Sequence, residues 1–373
     1  MSKPMSLPVV LHVAPVTHDR ASGFTSSVPA TISALHRLGV PTGLLTTSPR
    51  GPYAKAQPYP VAYVRDLPVL AAISSMSRPL NRPDLVVFHS TYIPVHALLS
   101  YAARRRGIPY VITPRGGMTR GAQRVKRLKK RLGNILFFSA MVRRAAAVHC
   151  LTEREAADVR AWGCPTFVVG NGVELPPPDH LAQPSRDRGL RLVFVGRLDM
   201  YHKGLDLLIE ACALVRDDLR RADAQIHLYG PDVGSCKSTI ERMIVASNLQ
   251  RLVRLHGPVY AAEKEYVFRG ADVFLHTSRF EGHPMAVLEA LSYGVPCLLT
   301  TGTNLSADVV GAGAGWEAAG SVESIASAIG QVLHGAHNLH KMGAAARRLT
   351  EEEYSWDQIG RRLLEHYQEL VQV

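Results

Sequence analysis

The feature that most narrows the fold is a rhythm in the chain. Short apolar runs rich in β-branched residues alternate with stretches of helical period through residues 7–169. The same alternation returns from Leu190 to about Gly335. Apolar runs without in–out alternation suit strands covered on both faces, and helices between them suit parallel crossovers. The first series predicts strands at Pro8–Val13, Val40–Thr46, Val61–Val64, Leu85–His89, Tyr110–Thr113, Ala147–Leu151 and Thr166–Val169. It predicts helices over Ser26–Leu38, Val69–Met76, Val95–Arg105, Arg124–Met141 and Glu153–Trp162. The second predicts strands at 192–195, 225–229, 252–255, 272–276 and 296–300. Between them Glu174–Arg186 is proline-rich, polar and without period. A chain of 373 residues is long enough for two cores. The expectation is therefore α/β, with a first domain over 1–173, a linker over 174–189, a second domain over 190–353 and a closing segment over 354–373. In that last segment Trp356–Val371 places Ile359, Leu363, Leu364, Tyr367 and Leu370 on one stripe.

Two loops concentrate groups able to do chemistry. Glu281-Gly282-His283-Pro284-Met285-Ala286 follows a strand and leads into a helix that carries Glu289 and stops at Gly294-Val-Pro296. A proline in the first helical turn gives up only an N–H that lacks a partner anyway. The loop and first turn thus offer backbone N–H groups at the positive end of a helix, which suits a phosphate. The two carboxylates suit sugar hydroxyls, the other reading being an ordinary strand–turn–helix with two solvated glutamates. After Leu192–Val195 comes Gly196-Arg197, then Lys203-Gly204. A forked guanidinium and a compact ammonium leaving a loop at the carboxyl end of a strand suit a diphosphate. The alternative is two solvated loop cations.

Composition removes several classes. No apolar run is long enough to span a membrane. The opening residues lack a secretory apolar region before Val9–Val13, so a cytoplasmic location is expected. Five scattered cysteines, Cys150, Cys164, Cys212, Cys236 and Cys297, lack C-x-x-C spacing and read as reduced thiols. Charge is uneven: residues 1–173 hold 23 Lys and Arg against 6 Asp and Glu, a net of +17 within a chain of +12. The excess lies in Arg104–Arg106 and in Arg120–Arg131. No aromatic residues interleave with it and no nucleic-acid-binding pattern appears, so no nucleic-acid partner is expected.

Taken in order, the motifs resemble the family-4 retaining glycosyltransferases of the GT-B fold. They are Ala21-Ser-Gly23, Thr113-Pro-Arg-Gly-Gly117, Asn171-Gly-Val173, Gly196-Arg197…Lys203-Gly204, Tyr229-Gly230, Leu255-His-Gly-Pro-Val259, the Glu281…Glu289 pair and Tyr354-Ser-Trp-Asp357. The resemblance covers nearly the whole chain. It implies two Rossmann-like domains facing each other across a cleft, with the last helix crossing back to the first domain. The first domain would bind acceptor and the second the nucleotide-sugar. It implies a UDP- or GDP-linked sugar donor, a sugar or lipid-linked acceptor, and no metal or other cofactor, since no Asp-X-Asp triplet occurs. Arg197 and Lys203, helped by the Gly23 N–H, would hold the diphosphate. Glu289 would bind the ribose and Glu281 the donor sugar. Val259 would edge the base, and the backbone from Gly282 through His283, Pro284, Met285 and Ala286 would complete the site.

One position departs from the family pattern. Arg115 stands where many members carry His in a His-Gly turn, a variant associated with some polysaccharide-assembly enzymes. An arginine does not serve as a base at neutral pH. Transfer would then rely on the leaving phosphate to accept the acceptor's proton, with Arg115 among the catalytic candidates; the alternative is that it pairs with an acidic neighbour. His202 and His283 are further candidates for ligand contact. The competing functions are a nucleotide-sugar epimerase and a non-catalytic nucleotide-sugar-binding module. Arg124–Phe138 joins six cations to a following apolar stretch and predicts docking on an anionic membrane surface, with a soluble acidic acceptor as the alternative. Each near-surface cation contributes about 1 kcal/mol. Co-sedimentation with anionic liposomes checks this. Binding should weaken with salt and fall when Lys126, Arg127, Lys129 and Lys130 become Gln; wild type left in the supernatant at low salt contradicts it.

Overall fold

A computed structural model describes residues 6–16, 23–50, 57–119, 133–182 and 189–372. The chain forms two compact units: Met1–Gly172 with Trp356–Val373, and Val173–Ser355. Each is a parallel sheet flanked by helices. In the first unit the strands are β1 Val10–Ala14, β2 Thr42–Thr46, β3 Val61–Tyr63, β4 Leu85–His89, β5 Tyr110–Thr113, β6 Ala147–Cys150 and β7 Thr166–Val168. They lie in the order β3-β2-β1-β4-β5-β6-β7. Every residue of β1, β2, β4, β5 and β6 is buried. Burial on both faces is why their sequences are continuously apolar rather than alternating.

The second unit has β8 Arg191–Val195, β9 Gln225–Tyr229, β10 Val253–Leu255, β11 Val273–His276, β12 Cys297–Thr300 and β13 Gly315–Ala318, in the order β10-β9-β8-β11-β12-β13. From β8 the chain winds outward through β9 and β10, then returns to place β11 on the other side of β8. The loops after β8 and β11 therefore diverge at a topological switch point, where open α/β sheets bind ligands.

The helix Trp356–Val371 belongs to the first unit although it follows the second in sequence. Its buried stripe, Trp356, Ile359, Leu363 and Tyr367, is the one its periodicity marks out. Gly360 lets it approach the helix Gly23–Arg37 closely: a β-carbon there would lie 3.3 Å from the Ala34 side chain. Arg37 pairs with Asp357 at 3.1 Å. Phe167 stacks on His366 and meets Tyr367 edge-on. Trp356 covers Gly172, where a β-carbon would come within 2.6 Å of the indole.

Three sequence expectations change. Val69–Met76 holds only a 3₁₀ turn at Val69–Ala71. The Ser74 and Ser75 hydroxyls both donate to the Ala71 carbonyl, competing with a helical backbone pattern there. β13 is absent from the sequence reading because Gly-Trp-Glu-Ala lacks β-branched residues; pairing with β12 makes it a strand. Arg124–Met141 is described only at its end, as a π-helical turn Asn134–Phe138 and a short helix Ser139–Arg143. The basic run Arg120–Arg131 lies outside the described residues, as do Ala21 and Ser22. Among the described residues no helix is long and apolar enough to cross a membrane.

Trp356 is 3% exposed and stands at the junction of the returning helix with Gly172. Trp356→Ala should cost about 3–5 kcal/mol in the unfolding of the first unit. Urea denaturation measures this, and a loss under about 1 kcal/mol contradicts the packing account.

Candidate functional site

The two loops at the switch point of the second unit are sewn together by backbone. Gly204 ends the first loop with φ +62°, and a β-carbon on it would lie 2.2 Å from the Thr277 carbonyl. Only glycine permits both the left-handed turn and that approach. The Thr277 hydroxyl lies 3.2 Å from the Lys203 and Gly204 carbonyls, to which it donates. The Arg279 N–H donates to the His202 carbonyl at 3.0 Å. Beside them, a β-carbon on Gly230 would fall 1.7 Å from the Gly196 carbonyl, so β8 and β9 also leave the sheet in close contact.

This lacing brings Lys203 against Glu281. The two form an ion pair with side chains only 12% and 11% exposed. Both residues are sequence candidates, each expected to hold a ligand; the structure also pairs them with one another. His276, at the end of β11, places Nε2 3.1 Å from Glu281 Oε1, and Ser278 donates to the same oxygen at 2.9 Å. His202 Nε2 lies 3.9 Å from Oε2. Burial disfavours the Glu281 carboxylate. The bonds from His276 and Lys203 outweigh it and hold the group well below the usual carboxylate range. His276 is pushed down by burial despite its carboxylate partner, so as a neutral ring it donates Nε2–H to Glu281. The loop backbone is fixed as well: Glu281 N–H donates to Gly302 O at 2.8 Å, and Asn304 Nδ2 donates to Glu281 O at 2.6 Å.

The remaining candidates of this unit surround the pair. Pro284 is the cap residue of the helix Met285–Ser292, one position before the expected first turn. Pro284 is buried and Met285 and Ala286 half-buried, with Gly282 exposed beside them. The first-turn N–H groups of Met285 and Ala286 have no acceptor within the helix, as at any helix start. His283 is buried, its ring 5.6 Å from that of Tyr354; burial pushes it down to about 4, leaving it neutral at neutral pH. Glu289 sits on the helix but pairs with Lys264 from the helix Ala261–Arg269. Val259 packs partly buried against the same core as Met285 and Ala286. Arg197 is exposed in the loop after β8. The structure thus joins Lys203 and Glu281 directly and keeps Glu289 on a separate pair.

Two candidates lie in the first unit. Gly23 opens the helix Gly23–Arg37. Arg115 turns the chain after β5 with φ +49°, and its Nη1 donates to Ser27 Oγ at 2.8 Å and Asn171 Oδ1 at 3.1 Å. The acidic neighbour, Glu155, takes the backbone N–H of Gly116 and of Leu151, shaping the turn. Burial pushes Arg115 down to about 10, so it stays cationic at neutral pH. His12, His89 and His149 gather near it, all pushed down by burial and therefore neutral.

Sequence reasoning passed over His276, Ser278 and Lys264 as partners. His276 and Ser278 carried a signal, since they are polar residues closing an otherwise apolar strand. Lys264 carried none, because only folding brings its helix to Glu289. Among the described residues no cluster of three His, Cys, Asp or Glu side chains is placed to hold a metal.

Comparison with known proteins matches both units. Residues 179–349 fit the family model described as glycosyl transferases group 1, and residues 8–172 fit the glycosyl transferase 4-like domain. D-inositol 3-phosphate glycosyltransferase of Arthrobacter sp. is 33% identical over 115 residues, 31% of this chain and 27% of that protein. The amylovoran biosynthesis glycosyltransferase AmsK of Erwinia amylovora is 27% identical over 226 residues, 57% of this chain and 53% of its own. These matches span about a quarter to a half of the relatives' length. HepE of Anabaena, solved in complex with UDP, superposes with a TM-score of 0.74 at 15% identity, covering 96% of this chain and 99% of its own. That likeness is one of fold, and the fold is GT-B.

The largely buried pair sets a pH-dependent contribution to stability. Glu281 is depressed in the folded state, so its contribution is present above the unfolded carboxyl range near 4.5 and is lost as pH falls below it. Lys203→Met leaves the carboxylate without its cation and should cost about 3 kcal/mol at pH 7. That difference should shrink between pH 5 and pH 3. Denaturant titrations of both proteins across this range check it; a pH-independent difference contradicts the assignment.

Proposed function

The chain belongs to the group 1 glycosyltransferases, and from that premise we propose that it moves a sugar from a nucleotide-diphospho-sugar to a hydroxyl acceptor with retention of configuration and without a metal. The observation that carries this reading is the conjunction at the β8/β11 switch point. A largely buried carboxylate with its ammonium, an exposed arginine and the start of a helix all belong to the loops that follow these adjacent strands. A diphosphate leaving group needs positive charge that does not have to reorganise. Arg197, Lys203 and the first-turn N–H groups of the helix Met285–Ser292 are assigned to it. Glu281, held ionised by its partners, is assigned to the hydroxyls of the donor sugar, and Glu289 to the ribose. The bound UDP of HepE supports a uridine or similar nucleotide in a site of this fold.

In the transfer the bond from the anomeric carbon to the diphosphate oxygen breaks. The acceptor oxygen forms its bond on the same face. The acceptor's proton passes to the departing diphosphate oxygen, so no side-chain base is required. Arg115, cationic and pinned by Ser27 and Asn171, is assigned charge stabilisation rather than proton transfer. Assembly of a polysaccharide or glycolipid in the cytoplasm, at the membrane face, is the setting we assign to this chemistry; AmsK, named for amylovoran biosynthesis, supports it.

Nucleotide release from a panel of UDP- and GDP-sugars is the test. Arg197→Ala and Lys203→Ala should each lower turnover by about 10²-fold at saturating donor. Wild-type rates should persist in EDTA. A strict Mg²⁺ or Mn²⁺ requirement, or near-normal rates in both variants, overturns the diphosphate assignment. An isomerised sugar in place of released nucleotide points to an epimerase.

A further inference from the structure

Beside the Lys203–Glu281 pair the chain displays aromatic surface that its own packing covers only in part. Tyr201 is 67% exposed and Phe280 49% exposed, with ring centroids 6.4 Å apart. Adjacent exposed aromatics rimmed by polar groups are a feature that binding surfaces use. These rings are also held in place. Arg279 forms a two-pronged bond with Asp206, both contacts 2.7 Å. The same guanidinium donates to the Tyr201 carbonyl at 2.9 Å and lies 4.7 Å from the Tyr201 ring centroid. The His202 ring stacks on Phe280 at 4.5 Å, 21° from parallel. Fixing exposed rings costs side-chain freedom and suits a surface preorganised for a ligand.

The neighbouring carboxylate indicates the class of ligand. Glu281 Oε1 is engaged by Lys203, His276 and Ser278. Among the described residues Oε2 accepts no protein hydrogen bond, and His202 Nε2 stands 3.9 Å from it, beyond hydrogen-bonding reach. An open acceptor oxygen beside an aromatic face is the combination a pyranose presents in reverse. The sugar has a face of weakly positive C–H groups, which an aromatic π face attracts, and a rim of hydroxyl donors.

We propose that Tyr201 and Phe280, their ring planes 59° apart, form an aromatic corner in which one ring takes the apolar face of a pyranose and the other its edge, with a ring hydroxyl donating to Glu281 Oε2. This rests on reading the second unit as a sugar-binding transferase domain. The ring belongs either to the donor sugar or to an acceptor saccharide, which share this chemistry. Tyr201 and Phe280 determine which sugar is accepted, and Arg279 and Asp206 position them.

Saturation-transfer NMR on the full chain tests the proposal. The probes are UDP-glucose, UMP and the methyl glycosides of glucose, galactose and mannose, the glycosides with and without UDP. Ring C–H protons of at least one sugar should receive saturation from the wild type. In the Tyr201→Ala/Phe280→Ala double variant this should fall by about fivefold or more, and it should be kept in Tyr201→Phe. Saturation in the glucose of UDP-glucose alone places the donor sugar in the corner; saturation in a methyl glycoside places the acceptor there. Equal saturation in wild type and double variant overturns the corner, as does saturation confined to uracil or none in any sugar. Calorimetry with UDP on both proteins separates the two readings. UDP binding kept in the double variant shows the fold intact. Its absence from the wild type counts against the transferase reading and leaves the corner judged by the glycoside arm alone.

Discussion

The second unit depends on an ion pair made where the backbone has already closed. Lys203 and Glu281 come from loops after two strands that are adjacent in the sheet but nearly eighty residues apart in sequence. Taking both charges out of water is expensive, and their attraction repays that cost only if remaining lone pairs find donors. His276 and Ser278 supply those donors, and Gly204 permits the close backbone approach on which the geometry rests. The result is a carboxylate kept ionised in a largely buried place. It can offer an acceptor oxygen without first shedding a proton.

The same pair constrains how the proposed chemistry can work. Because Lys203 is already partnered, its charge would reach a diphosphate as part of a dipolar unit. Arg197, exposed and one residue past the tight Gly196–Gly230 contact, is the freer cation. Glu289 is likewise engaged by Lys264 from a neighbouring helix. A ribose binding there would replace an ionic partner by neutral hydroxyls, which must donate to the carboxylate to offset the loss of the ammonium in a half-buried place. Nearby rings contribute shape and, at His276, a hydrogen-bond donor rather than charge, since burial keeps His276 and His283 neutral.

The first unit handles charge differently. Its sequence is strongly basic, yet around Arg115 the cation is held by neutral oxygens of Ser27 and Asn171. Glu155 spends its carboxylate on two backbone N–H groups. The returning helix Trp356–Val371 completes this unit's packing through Trp356 and Tyr367. Distant parts of the chain therefore share one core.

Hydrophobic rhythm by itself determined the two parallel sheets, because a strand buried on both faces must be apolar throughout and a crossover helix must carry a stripe. β1, β4, β8 and β11 are legible for that reason. So is the amphipathic stripe of the last helix. Local chemistry marked Arg197, Lys203, Glu281 and Glu289 as ligand candidates, since glycine-rich loops after strands and a helix opening with Pro284 are readable without partners. Tertiary structure alone decided who pairs with whom. The Lys203–Glu281 and Lys264–Glu289 pairs and the Arg279–Asp206 bond under Tyr201 each join residues well separated in the chain. β13 became a strand only by pairing with β12. Periodicity records which face of an element is buried, whereas pairing depends on strand order and loop closure, and these arise only when the sheet assembles.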